Sequence, residues 1–137
     1  MRVMKKRTGV LLIQLGTPKA PKVSAVRPYL SQFLNDPRVI DLPYLVRKLL
    51  VNLIIVPFRA PKSTKIYKEL WHEGGGESPL LTITRDLTDA LNTHLGDDDI
   101  FVHMAMRYQV PSMDDVLEEM RKQNYDRLVI IPLFPHY

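Results

Sequence analysis

Three short apolar runs, separated by much longer segments with helical patterning, constrain the fold of this chain more than any other feature. The runs are Thr8–Leu15, Ile100–Met106 and Leu128–Leu133. They are rich in branched side chains and nearly continuous in hydrophobicity, which is typical of strands covered on both faces of a parallel sheet. Because parallel strands need crossover connections, we predict an α/β fold with an open, doubly wound sheet and helices on both faces.

The segments between the runs carry the signals of helices, which we place at residues 23–34, 44–56, 61–71, 78–95 and 112–123. The fourth has the clearest signature, with Ser78 as N-cap, Pro79 at the first helical position and Gly96 just past the end. Its apolar residues form one stripe, made of Leu80, Ile83, Leu87, Leu91 and Leu95. The helix at 44–56 is apolar almost all round, so it is either buried or turned toward something outside the chain.

Length and composition narrow the class of protein further. A chain of 137 residues has room for one sizeable core, and the absence of Cys excludes disulfides, thiolate metal sites and cysteine nucleophiles. The longest apolar run, Leu49–Phe58, is about half of what spans a bilayer, and no signal peptide is apparent. We therefore expect a cytoplasmic protein. Since a parallel strand is normally followed by a helix, the sheet also looks truncated after its third strand, with an apolar edge uncovered.

Residues that could carry chemistry follow the predicted strands. Ligands of open parallel sheets bind outside the carboxyl ends of the strands. Those ends deliver Leu15, then Arg107 and Tyr108, and finally His136 and Tyr137. We expect them to meet in one crevice, although Arg107 and Tyr108 could instead begin an ordinary solvated loop.

A second candidate is the turn Gly74–Ser78, which ends at a helix N-terminus where free amides and the helix dipole favour an anion. The turn lacks the lysine and the spacing of a phosphate-binding loop, so nucleotide binding is disfavoured. It could equally be a flexible turn with a helix cap. The net charge of +4 is compatible with nucleic acid, anionic lipid or an acidic small molecule and selects none of them.

Five segments, in order and spacing, resemble the N-terminal half of the ferrochelatase family. They are GVLLIQLGTP, VRPYLSQFLNDPRVID, VPFRAPKSTKIYKELWHEGGGESPL, MRYQVPS and VIIPLFPHY. The resemblance implies two similar doubly wound domains with a porphyrin in the cleft between them. It also implies insertion of iron(II) into protoporphyrin IX to form haem, with release of two protons. Residues 1–137 would be the N-terminal chelatase-like domain, with iron as substrate and no tightly bound cofactor.

The resemblance also implies roles for single residues. Leu15 falls where members of the family carry a porphyrin-facing residue, which is a tyrosine in the coproporphyrin-using branch. Arg107 and Tyr108 fall on the active-site Arg-Tyr pair of the family. Ser78 and Arg59 fall on positions that bind propionates.

The resemblance also implies roles for His136 and for the segment Leu45–Phe58. His136 matches a position held by His or Gln in different members, which implies a secondary role in guiding the metal. The segment Leu45–Phe58 matches the lip of the active-site mouth, which docks on lipid in membrane-associated members. The catalytic His of the family lies in a Ser-Ala-His-Ser type motif in the C-terminal half, with a partner Glu beyond it, and this sequence contains neither. The chain would therefore supply one porphyrin wall and be inactive alone.

A second hypothesis, in which the chain is not part of an enzyme, remains open. A non-catalytic α/β module could bind an anionic ligand at the turn Gly74–Ser78, and a porphyrin titration would separate it from the chelatase. Nucleic-acid binding is disfavoured because the sequence has neither a recognition motif nor an aromatic-basic stripe.

Overall fold

The computed structural model describes residues 6–135. Its elements are β1 Thr8–Gly16, α1 Val23–Leu34, α2 Tyr44–Leu49, a π-helical segment Leu50–Ile55, α3 Val56–Glu73, α4 Pro79–Leu95, a 3-10 turn Gly96–Asp98, β2 Ile100–Tyr108, α5 Met113–Lys122 and β3 Arg127–Pro132. The contacts divide the chain into two compact units. We call the residues up to 16 and from 80 onward the sheet unit, and residues 17–79 the helical unit.

The sheet unit contains three parallel strands in the order β2-β1-β3, which confirms the predicted α/β fold with a parallel sheet. β1 is central because its side chains are apolar toward both faces, and Leu11, Leu12 and Ile13 are buried in succession. The predicted strands are confirmed, and β1 and β2 run one or two residues further than expected.

Helix α5 covers one face of the sheet. Its start is fixed by Ser112, whose Oγ accepts a hydrogen bond from the Asp115 N–H at 3.2 Å, as the sequence predicted. One turn apart on its inner face, Val116 and Met120 are buried against the strands. The core cluster here consists of Leu11, Ile13, Ala105, Val116 and Met120.

The two outer strands of the sheet differ in how far other residues cover them. On β2, the Asn92 side chain of α4 donates to the Val102 carbonyl and accepts from the Val102 N–H, both at 2.7 Å. On β3, the side chains of Leu128, Ile130 and Ile131 are exposed. The predicted uncovered apolar edge is therefore present at β3 among the residues that the structure describes.

Helix α4 begins and ends where the sequence predicted, and its fully buried residues are two threonines that do not belong to the apolar stripe. Ile83 is 66% exposed and Leu87 is exposed as well, whereas Thr84 is 2% exposed and Thr88 is buried. Each threonine hydroxyl donates to the carbonyl four residues earlier, Thr84 to Leu80 at 2.6 Å and Thr88 to Thr84 at 2.8 Å. Because the hydroxyls are satisfied within the helix, the threonine methyl groups can face the interior at little cost.

In the helical unit, α2, the π-helical segment and α3 run without a break from Tyr44 to Glu73. The predicted separation into two helices around Pro57 and Pro61 is therefore wrong. Pro57 is the second residue of α3 and follows directly on the wider π-helical segment, so the missing amide coincides with a change in the helical hydrogen-bond pattern. Pro61 lies inside α3, and Pro28 likewise lies inside α1.

Polar side chains anchor this long helix to the rest of the helical unit. Asn52, which interrupts the apolar run, accepts a hydrogen bond from Ser31 Oγ of α1 at 2.6 Å and a longer one from Asn35 Nδ2 at 3.3 Å. Arg47 is buried and donates to the Leu42 carbonyl at 2.7 Å. These bonds hold the helix to α1 and to the loop before α2.

An aromatic cluster joins α1 to α3. Tyr29 stacks on Phe33 with centroids 6.2 Å apart, meets Tyr67 edge-on at 6.0 Å, and Tyr67 in turn meets Trp71 at 5.9 Å. Burial raises the pKa of Tyr67, while a hydrogen bond with Tyr29 and the charge of Arg59 oppose the rise. The cluster makes the C-terminal half of α3 a firmly packed element.

The outer side of the long helix is an exposed apolar face, which we define by Tyr44, Leu45, Val46, Leu49, Leu53, Ile54 and Phe58. Phe58 is 76% exposed. Of the two alternatives that the sequence left for this segment, the structure supports the one in which its apolar side faces outward. Within residues 6–135, no helix has the length and apolar character needed to cross a bilayer.

Candidate functional site

The carboxyl ends of the strands lie side by side in the sheet unit. Gln14 is paired with Met106 and Gly16 with Tyr108, so Leu15 and Arg107 lie at neighbouring positions between these pairs. On the other side of β1, Ile13 is paired with Pro132 at the end of β3. The structure thus brings Leu15, Arg107 and Tyr108 to one edge of the sheet, as predicted.

Gly16 allows the two strand ends to approach this closely. Its φ of +125° is a conformation that side-chain-bearing residues rarely adopt. A Cβ at this position would overlap the backbone carbonyl oxygen of Tyr108. Only glycine fits at the point where β1 leaves the sheet beside the Arg107–Tyr108 pair.

Arg107 and Tyr108 differ in their environments. Arg107 is half-buried, and its Cζ lies 5.6 Å from the centroid of the Tyr108 ring, within the range of a cation–π contact. Tyr108 is only 6% exposed. The loop that follows is tied back to β2 by the Met106 N–H, which donates to the Pro111 carbonyl at 2.7 Å. Arg107 therefore presents a partly accessible positive charge, and the buried ring of Tyr108 packs beside its guanidinium.

Ser78 and Arg59, the predicted propionate ligands, lie in the helical unit. Ser78 is 4% exposed, and its Oγ is 2.8 Å from the Oγ of Thr17, which is also buried. A ligand that used the Ser78 hydroxyl would have to share it with Thr17. Arg59 is exposed on α3 and is available to an anion in solution.

Thr17, which directly follows β1, is not among the site residues that the sequence predicts. The hydroxyl pair it forms with Ser78 links two segments 61 residues apart. A small polar residue directly after a buried strand was the available signal, since such positions border ligand sites in parallel sheets.

The histidines contribute no metal cluster in the described part of the chain. His103 Nε2 lies 2.8 Å from the Tyr125 hydroxyl, and burial lowers the pKa of His103 while the charge of Glu119 opposes this. These contacts give His103 a structural role. His136 and Tyr137, which the sequence places after the third strand, lie outside the described residues. Among the His, Asp and Glu side chains that the structure describes, no group of three or more could hold a metal ion.

Comparison with known proteins gives a consistent result. The family described as Ferrochelatase matches residues 7–137. The ferrochelatase of Coxiella burnetii (strain CbuG_Q212) is 47% identical over 131 residues, covering 96% of this chain and 36% of that protein. Ferrochelatase 2 of Shewanella oneidensis is 46% identical over 133 residues, covering 96% of this chain and 40% of that protein.

A third relative, the ferrochelatase of Shewanella denitrificans, is 42% identical over 141 residues, covering 97% of this chain and 41% of that protein. The chain thus spans well under half the length of these relatives. The match nevertheless extends over almost all of its own residues. The chain therefore belongs to the ferrochelatase family.

Proposed function

We propose that these residues supply one wall of a porphyrin site in an enzyme that inserts iron(II) into protoporphyrin IX and releases two protons. The observation that carries the proposal is the grouping of Leu15, Arg107 and Tyr108 at the carboxyl edge of the sheet. Protoporphyrin and ferrous iron are the substrates, and no tightly bound cofactor is required. The proposed location is the cytoplasm, at a membrane surface.

The chemistry assigned to this wall is positioning and electrostatic stabilisation. Leu15 offers an apolar contact to the macrocycle, and the Arg107 guanidinium holds a permanent positive charge beside it. Metal insertion requires the ring to be distorted so that the nitrogen lone pairs become reachable, and fixed contacts on one side of the ring supply that strain. Ser78 and Arg59 are proposed to bind the propionates at the periphery.

A porphyrin titration of the 137-residue chain tests this proposal. We expect protoporphyrin IX to change its Soret band on binding, and to bind more tightly than coproporphyrin III because Leu15 is apolar. Arg107→Ala should weaken binding, whereas Arg127→Ala, at the opposite end of the sheet beside Thr8, should not. An unaltered Soret band would favour the non-catalytic anion-binding module, and tighter binding of coproporphyrin III would refute the preference assigned to Leu15.

Kinetics should separate the roles of the site residues in a chimera, in which these residues replace the matching segment of full-length Coxiella burnetii ferrochelatase. Arg107→Ala should lower kcat at least about tenfold and change KM less, because a fixed charge acts on the strained state of the substrate. Ser78→Ala should mainly raise KM. The reverse pattern would contradict both assignments.

Two controls complete this comparison. Loss of Ser78 also removes a candidate helix cap worth about 1 kcal/mol, so unfolding is measured alongside the kinetics. For His136 we propose a secondary role in guiding metal, so His136→Gln should retain at least about a tenth of kcat, since loss of a general base lowers the rate by about 10²-fold or more. A fall of three orders of magnitude in a folded variant would promote His136 to the catalytic residues.

We also propose that the exposed apolar face on α2, the π-helical segment and α3 makes peripheral contact with a membrane. Exposed apolar patches of this extent mark interaction surfaces. In vesicle co-sedimentation, the triple variant Leu45→Ser, Leu49→Ser and Leu53→Ser should reduce the bound fraction at least about tenfold, because each buried leucine contributes about 1.5–3 kcal/mol. Ile66→Ser, an equally exposed change outside this face, is the control. Equal binding of both variants would contradict the proposal.

A further inference from the structure

A cavity of about 620 Å³ lies within the helical unit, between the segment after Thr17 and the C-terminal end of α3. Its lining includes Lys19, Lys68, Trp71, His72, Gly75 and Gly76. The volume is in the range of small-molecule sites. None of the residues proposed above to touch porphyrin contributes to it, and the comparisons assign it no role.

Two lysines line this cavity. Lys19 and Lys68 come from segments far apart in sequence, and both are exposed. None of the described residues that line the cavity is acidic. Cationic groups that converge on a concave surface raise the local concentration of anions, so the ligand should be negatively charged.

Part of the lining is apolar. Trp71 is buried and lies edge-on to Tyr67, and together with Ala20 and Pro21 it forms the apolar part of the lining, which we call the floor. The turn at the rim is fixed, because the Gly76 N–H donates to the Trp71 carbonyl at 2.8 Å. A ligand with an apolar body could rest on this floor while its charges meet the lysines.

The glycines keep the opening clear. Gly75 and Gly76 have φ values of +70° and +101°, which glycine adopts without strain. A Cβ built on either residue meets nothing within 4 Å, so both glycines border open space. The turn therefore borders the cavity without adding side-chain atoms to its lining.

From this geometry we propose that the helical unit contains a second binding site, in which Lys19 and Lys68 hold a small organic anion with an apolar body and at least two negative charges. Because lysine–anion pairs in solvent are individually weak and are screened by salt, the affinity should be modest and should fall as the ionic strength rises.

The probe is benzene-1,3-dicarboxylate, titrated into the 137-residue chain and followed by nuclear magnetic resonance. Trp71 is the single tryptophan, so its indole N–H signal reports directly on the floor of the cavity. We expect saturable shifts of this signal and of the Gly75 and Gly76 amides. The neutral benzene-1,3-dicarboxamide, which has the same body, should bind at least about tenfold more weakly, because the charge contribution is lost.

Matched double variants test the assignment of the lysines. Lys19→Ala with Lys68→Ala should raise the dissociation constant at least about tenfold, whereas Lys62→Ala with Lys65→Ala, which removes two exposed lysines of α3 outside the cavity, should leave it within about twofold. Equal loss in both variants would reduce the effect to general charge and overturn the proposal. Unchanged binding after removal of Lys19 and Lys68, or equal binding of the diamide, would also overturn it. Inorganic pyrophosphate is an anion without an apolar body. If pyrophosphate binds as tightly as the dicarboxylate, the role given to the floor is contradicted.

Discussion

Replacing Gly16 with alanine should destabilise the sheet unit by at least about 3 kcal/mol, a large part of the stability of a small domain. Two effects add at this position. The φ of +125° is strained for any residue with a Cβ, and the new methyl group would overlap the Tyr108 carbonyl oxygen. Because that oxygen belongs to backbone in register with β1, relief requires the two strand ends to separate.

Urea denaturation followed by circular dichroism measures this effect, with Gly96→Ala as the matched control. Gly96 begins the 3-10 turn, and a Cβ there meets nothing within 4 Å. The control should stay within about 0.5 kcal/mol of the parent chain, as surface substitutions usually do. A Gly16→Ala chain as stable as the control would show that the strand ends can part without penalty, and would contradict the close packing described for the site.

The parts of the fold that could be predicted are those whose sequence signals lie within a single segment of the chain. The strand Thr8–Gly16 follows from composition alone, because a continuous branched apolar run has few other solutions in a soluble domain. The bounds of α4 follow from Ser78, Pro79 and Gly96, which act through the backbone of their own segment. Both signals can be evaluated without knowing which elements pack together.

Features that depend on tertiary packing did not follow from the sequence. The leucine stripe of α4 has helical spacing, yet the buried face carries Thr84 and Thr88, whose hydroxyls bond within the helix. The sequence predicts separate helices at residues 44–56 and 61–71, yet one continuous helix passes through Pro57 and Pro61 and packs against α1. Spacing reports which residues share a face but not which face is covered.

The candidate site was predictable in part for a similar reason. The carboxyl ends of parallel strands are adjacent by topology, so the placement of Leu15, Arg107 and Tyr108 followed once the strands were located. The hydroxyl pair of Thr17 and Ser78 joins segments 61 residues apart and needs the folded chain to be seen. The same holds for the cavity at Trp71, whose two lysines belong to different segments.

The 137-residue chain alone is expected to show no measurable insertion of iron(II) into protoporphyrin IX. The resemblance to the family assigns proton removal to a His in a Ser-Ala-His-Ser type motif, and none of the four His residues of this sequence stands in one. General-base assistance alone is worth about 10²–10⁴ in rate. The chain also spans only 36% of the Coxiella burnetii relative, so much of the surface that would enclose the porphyrin is not part of it.

The measurement is haem formation under anaerobic conditions, with full-length Coxiella burnetii ferrochelatase assayed in parallel. Retained binding of protoporphyrin IX by the 137-residue chain, seen in its Soret band, distinguishes an incomplete catalytic site from an unfolded protein. Binding without turnover is the expected outcome, because the proposed strand-end wall would contact the macrocycle without the proton acceptor that the resemblance implies. Turnover comparable to that of the full-length relative would show that Arg107, Tyr108 and their neighbours suffice for the reaction, and the division of labour proposed for this wall would be wrong.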